Sequence, residues 1–217
     1  MIDYFASLDI FGWLEIAAMI VGFIYVFYEV KKSRKMWYYW LASAILNIFV
    51  YWHSHYMSMM LIQFYYIISA VYGIRQWSKV VDRAIEQHGE DDRANGQTKI
   101  AIKRFDIRKG LISSAIAIIV FVILAPMFDK FAQQSGNIIF AGQPYFDTAV
   151  AVLSMLATYW LSQSFKAQWY IWIVVNVASI PIFIAGGIYW MALLYVAYLA
   201  MCFVGLWQWK KYGVTVE

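Results

Sequence analysis

Trp169, Trp172 and Asn176 stand at i, i+3 and i+7, a spacing that puts two indoles and one carboxamide on a single helical face. Trp37, Trp40, Ala44 and Asn47 repeat that face earlier in the chain. Gln63 and Tyr66 are three apart and Ser154 and Thr158 four apart, so each pair also shares a face. These side chains bind rather than react. Indole faces attract flat molecules and cations; Asn, Gln, Ser, Thr and Tyr supply neutral donors and acceptors. The sequence has no H-E-x-x-H, no G-x-S-x-G and no paired carboxylates within an apolar segment, so nothing in it asks for a catalytic group. Cys202, the single cysteine, can make neither an internal disulfide nor a zinc site and reads as a small apolar filler. His53 and His55, two apart, suit no helical metal pair and read as loop residues. No metal and no cofactor is expected.

The segments that must hold these faces are overwhelmingly apolar. Of 217 residues 63% are hydrophobic, against roughly 45–50% in soluble domains. Charged residues are 14% and aromatics 20%, and mean hydropathy is +0.60. A soluble enzyme, a secreted disulfide scaffold and a disordered chain are excluded, and nucleic-acid binding is disfavoured despite a net charge of +4. The expectation is an all-α integral membrane protein with seven transmembrane helices, at 10–29, 36–53, 57–77, 110–128, 145–163, 168–188 and 189–209. Gly186-Gly187 supplies the turn between the last two. The runs do not alternate in polarity, so a β-barrel is excluded. Span 10–29 is too long for a cleaved signal peptide, carries Glu15 and follows acidic rather than basic residues.

Seven spans put every Lys and Arg except Lys130 on one side, which places the N-terminus outside and the C-terminus in the cytoplasm. The hydrophilic stretch 78–109 is then a solvated cytoplasmic loop with room for a short surface helix. No span has a charged residue at its midplane; Glu15 and Asp147 sit about one turn inside the outer ends, where snorkelling is cheap.

The chain also repeats itself. A shift of 132 residues lays Trp37, Tyr38 and Trp40 on Trp169, Tyr170 and Trp172. It lays Gly73, Gln76, Trp77 and Lys79 on Gly205, Gln208, Trp209 and Lys211, and Tyr66 on Tyr198. The two copies are 10–77 and 145–209, each three spans long, with span 110–128 unmatched between them. Three is odd, so the central helix restores the second copy to the orientation of the first. This is a 3+1+3 parallel repeat of the SWEET-like kind, which places a substrate near the midplane between two halves. Interfacial anchoring is the plainer account of the Trp pairs, interhelical hydrogen bonding of Asn47, Gln63 and Asn176, and close packing of Gly73 and Gly205.

W-x-x-W at 169–172 followed by Asn176, and L-I-Q-F-Y-Y at 61–66 running into Y-G-I-R-Q-W at 72–77, give the chain a resemblance to the PnuC family of vitamin transporters. The resemblance covers about residues 10–211 and is nearest to the nicotinamide riboside carriers. It implies a facilitative carrier, a uniporter, in a bacterial inner membrane that supplies NAD synthesis, with a cytoplasmic riboside kinase trapping the substrate by phosphorylation. It implies no enzymatic activity. A cationic pyridinium, a carboxamide and a ribose suit Trp40, Asn47, Gln63, Tyr66, Thr158, Trp169, Trp172 and Asn176 as the binding set. The expected assembly is a homo-oligomer, a trimer. Ala167-Gln168 and Thr158 depart from the family's usual Glu-Asn and Gln, which leaves thiamine and riboflavin open as substrates. A membrane sensor that binds without transporting is the rival of another class.

Overall fold

An apolar segment in a bilayer must satisfy its backbone internally, and helices do so without help from neighbours. The computed structural model describes residues 10–53, 57–88, 100–136, 138, 141–185 and 189–216. Seven helices form among them: α1 (Ile10–Val30), α2 (Lys35–His53), α3 (Met57–His88), α4 (Ile107–Ser135), α5 (Gln143–Ser162), α6 (Gln168–Ala185) and α7 (Tyr189–Lys211). Gly186, Gly187 and His55 lie outside the described residues, as do the side chains of Glu15 and His53.

Two helices outrun their expected spans. α3 continues past residue 77 to His88 through a polar extension, and α4 runs on to Ser135. Asp106 starts α4: its side chain accepts the Lys109 N–H at 3.2 Å. That backbone bond holds the Asp106 carboxyl below the usual range. Gly136, at φ 69°, ends the helix by donating its N–H to the Ala132 carbonyl.

Within 78–109 the extension of α3 to His88 is helical, and the described residues 100–103 form a strand. β1 (Ile100–Lys103) pairs in parallel with β2 (Gly213–Val216), from Ile100 opposite Gly213 to Lys103 opposite Val216. Lys103 also donates its N–H to the Ser164 carbonyl at 3.1 Å. The strand forms because its backbone groups find partners in two segments distant in sequence. It ties the α3–α4 connection, the α5–α6 turn and the C-terminal strand together at one end of the bundle.

Among the described residues, three stretches are long and apolar enough to cross a bilayer: Ile107–Gln134, Gln168–Ala185 and Ala192–Lys211; Ile16–Val30 is an apolar stretch within α1. α2, α3 and α5 carry inward polar residues, among them Ser43, Gln63, Ser154 and Thr158, all buried. α4 packs mainly on α5 and leaves Leu111, Ile116, Ile119 and Val122 exposed.

The helix contacts come in pairs. α1 packs on α2 and α2 on α3; α5 packs on α6 and α6 on α7; across the molecule α3 meets α5 and α1 meets α7. A Cβ added to Gly73 would fall into the ring of Trp37, and one added to Gly205 into the ring of Trp169, against the same three ring atoms. Trp77 stands edge-on to Trp37 at 5.3 Å, and Trp209 edge-on to Trp169 at 5.6 Å. The Trp77 Nε1–H donates to the Leu161 carbonyl at the end of α5, and the Trp209 Nε1–H to the Val30 carbonyl at the end of α1. Trp37, Trp77, Trp169 and Trp209 are wholly buried, so interfacial anchoring does not account for them.

Candidate functional site

The inward faces of α1, α2, α3, α5, α6 and α7 enclose a cavity of about 160 Å³. Its wall is built from positions related by the 132-residue shift: Trp40 with Trp172, Tyr66 with Tyr198, Gln63 with Tyr195, Ala44 with Asn176, and Asn47 with Ser179. The backbone frame is thus duplicated while the chemistry on it differs, which suits a ligand that is itself unsymmetrical.

Aromatic rings form one part of the wall. Trp40 and Trp172 lie 6.4 Å apart, Tyr66 stands edge-on to Trp40 at 5.1 Å, and Tyr25 does the same at 4.9 Å. Tyr198 lies 5.8 Å from Tyr25. Among the described residues the buried indole N–H groups of Trp40, Trp169 and Trp172 have no hydrogen-bond partner, nor has that of Trp37 behind the wall. Unpaired buried donors carry a desolvation cost that a bound acceptor would relieve.

Amides form another part. The Asn47 Nδ2 donates to Ser43 Oγ at 3.3 Å, and the Asn176 Nδ2 donates to Cys202 Sγ at 3.3 Å. Among the described residues neither Asn carbonyl oxygen accepts a hydrogen bond, so both remain for a ligand. Cys202 therefore does more than fill space: it lines the cavity and braces Asn176. Gln63, buried on α3, faces the same space. Asn176→Ala or Gln63→Ala should weaken ligand binding by about 1–3 kcal/mol, the cost of leaving a ligand's polar group unpaired. Titration calorimetry on the purified, folded variants measures this; wild-type affinity would reassign both amides to interhelical packing.

Seven residues of the sequence-derived set therefore share one cavity: Trp40, Asn47, Gln63, Tyr66, Trp169, Trp172 and Asn176. Thr158 is placed elsewhere. It is wholly buried, its hydroxyl donates to the Ser154 carbonyl at 2.8 Å, and Ser154 rather than Thr158 meets the cavity.

The structure adds two acids. Asp147, in the first turns of α5, lines the cavity half-buried. Glu29, in the last turn of α1, also lines it and is only 2% exposed. Its Oε1 accepts from Gln168 Nε2 at 3.3 Å, across from α6. Sequence reasoning missed Glu29 because it adjoins Lys31 and Lys32 and reads as the charged flank of a span. The signal was present: Ala18, Gly22 and Glu29 share one buried face of α1.

Beyond Glu29, outside the cavity wall, lies Lys32. Its Nζ lies 4.3 Å from the Trp77 ring centre and 4.5 Å from that of Trp209. Burial, with Lys103 nearby, pushes the Lys32 pKa well down, whereas Glu29 pulls it up.

A family profile described as Nicotinamide mononucleotide transporter matches residues 12–211. The nicotinamide riboside transporter PnuC of Escherichia coli strain K12 is 19% identical over 90% of this chain and 82% of its own. The riboflavin/roseoflavin transporter RibM of Streptomyces davaonensis is 22% identical over 91% of this chain and 84% of its own. The fold is similar to the crystal structure of the vitamin B3 transporter PnuC, with a TM-score of 0.67 at 20% identity, over 92% of this chain and 81% of that one.

Proposed function

Because the chain belongs to the nicotinamide mononucleotide transporter family, a family of membrane transporters rather than enzymes, we propose that it carries nicotinamide riboside by facilitated diffusion. The observation that carries this reading is the cavity. It joins the indoles of Trp40 and Trp172, set edge to face at 6.4 Å, to the amide oxygens of Asn47 and Asn176. A pyridinium ring is attracted to indole faces, and the carboxamide N–H groups and ribose hydroxyls can donate to the amide oxygens.

A second reading, riboflavin, has RibM in its favour. At about 160 Å³ the cavity leaves less room for a three-ring flavin with its ribityl chain than for a single aromatic ring on a ribose. Competition by unlabelled riboflavin and thiamine against labelled nicotinamide riboside separates the substrates. A membrane sensor would bind without flux.

The paired contacts between the halves support a parallel 3+1+3 repeat whose two units rock about the cavity. The clustering of Lys31, Lys32, Arg34, Lys166, Lys210 and Lys211 at one set of helix ends supports a cytoplasmic location for that end in a bacterial inner membrane. The homo-trimer and the riboside kinase that traps substrate inside belong to the same proposal.

Transport should be uncoupled. In liposomes with clamped potential, labelled nicotinamide riboside should enter until inner and outer concentrations are equal, after allowing for the potential acting on a cation. A sodium or proton gradient should not raise that plateau, and a trapped kinase with ATP should. Gradient-driven accumulation at zero potential would replace uniport with coupling, and Glu29 and Asp147 are the groups such coupling would use.

A further inference from the structure

Among the described residues the cavity wall includes Glu29 and Asp147 and no Lys, Arg or His. Glu29 is the more deeply buried of the two. A carboxylate out of water costs several kcal/mol unless something compensates it. What compensates Glu29 within the protein is slight. Gln168 gives it one neutral hydrogen bond, long at 3.3 Å. Lys32, one turn on, directs its Nζ between the rings of Trp77 and Trp209 and forms no hydrogen bond among the described residues.

Packing does not require an acid here. The position 132 residues on is Leu161, wholly buried and apolar, at the matching end of α5. The frame accepts leucine in one half and holds glutamate in the other. One turn before Glu29, Tyr25 faces the same cavity and meets Trp40 edge-on at 4.9 Å. Trp40 is itself 5% exposed, with its indole N–H unpaired. A carboxylate beside electron-rich ring faces, in a wall without bases, is a recognition element for an organic cation.

We propose that Glu29 is the specificity-determining residue that selects monocationic ring ligands over neutral ones of the same shape and repels phosphorylated, anionic forms. This rests on the transport reading above. The position related to Glu29 by the repeat is Leu161, so this carboxylate has no mirror image in the other half.

The test is binding of nicotinamide riboside, of its uncharged reduced form and of nicotinamide mononucleotide to purified wild type, Glu29→Gln and Glu29→Asp. Wild type should prefer the cation. Glu29→Gln should lose about tenfold or more in affinity for the cation, as expected when a charge-assisted contact is removed. Its affinity for the neutral reduced form should stay within about threefold, which a merely misfolded or repacked cavity would not allow. Glu29→Asp should restore most of the preference, and nicotinamide mononucleotide should gain on Glu29→Gln relative to wild type.

An unchanged cation-to-neutral ratio in Glu29→Gln overturns the assignment while leaving the nicotinamide riboside reading intact. Equal loss of both forms also overturns it, making Glu29 structural. If wild type ignores nicotinamide riboside and binds thiamine, also a cation, the substrate reading fails and the Glu29 comparison stands with that ligand. A wild-type preference for riboflavin overturns both.

Discussion

Trp172→Ala is expected to weaken nicotinamide riboside binding by about 2 kcal/mol, roughly thirtyfold in Kd. Trp172 presents its ring to Trp40 at 6.4 Å across the cavity, on the face that also bears Asn176. Removing it deletes both a cation-attracting surface and an indole N–H that has no partner among the described residues. Trp40→Ala should cost at least as much, because Trp40 also anchors Tyr25 and Tyr66, whose rings stand edge-on to it. Trp172→Phe should recover part of the loss. Calorimetry in detergent with the charged ligand and its uncharged reduced form reads the result. If both forms bind wild type equally, ring–cation attraction is discarded; if Trp172→Ala binds as wild type does, the cavity is not the site.

Gly205→Leu should remove about 3 kcal/mol of stability, enough to abolish most folded protein, and Gly73→Leu should do the same. Both glycines stand where a Cβ would enter an indole, Trp169 for one and Trp37 for the other. Neither ring can retreat, for both are wholly buried, with Trp209 and Trp77 edge-on behind them. Adding Trp169→Ala to Gly205→Leu should restore part of the loss, since the two changes share one space. Thermal unfolding of detergent-solubilised protein measures both, and an unfolding midpoint at the wild-type value for either single variant would refute the packing argument.

The helices and their inward faces were legible in the chain. A segment of apolar residues encodes its own hydrogen bonding, and residues three, four and seven apart share a face whatever surrounds them. Trp40, Asn47, Gln63, Tyr66, Trp169, Trp172 and Asn176 were legible as inward-facing residues for this reason, since local periodicity alone aims each at a common interior. The repeat was legible because a duplicated frame leaves identical residues at a constant offset.

Rotation, depth and closure belong to the tertiary structure. Thr158 shares a helical face with Ser154, yet a small rotation of α5 brings one to the cavity and buries the other against its own backbone. Glu29 is a span's charged edge in the chain and a buried cavity acid in the fold, because Gln168, 139 residues away, covers it. β1 is a polar connection until β2 offers it a ladder. Composition and periodicity are properties of neighbours along the chain. Whether a polar group meets water, lipid, ligand or another helix depends on segments far from it in sequence, and only their packing settles the dielectric around each charge.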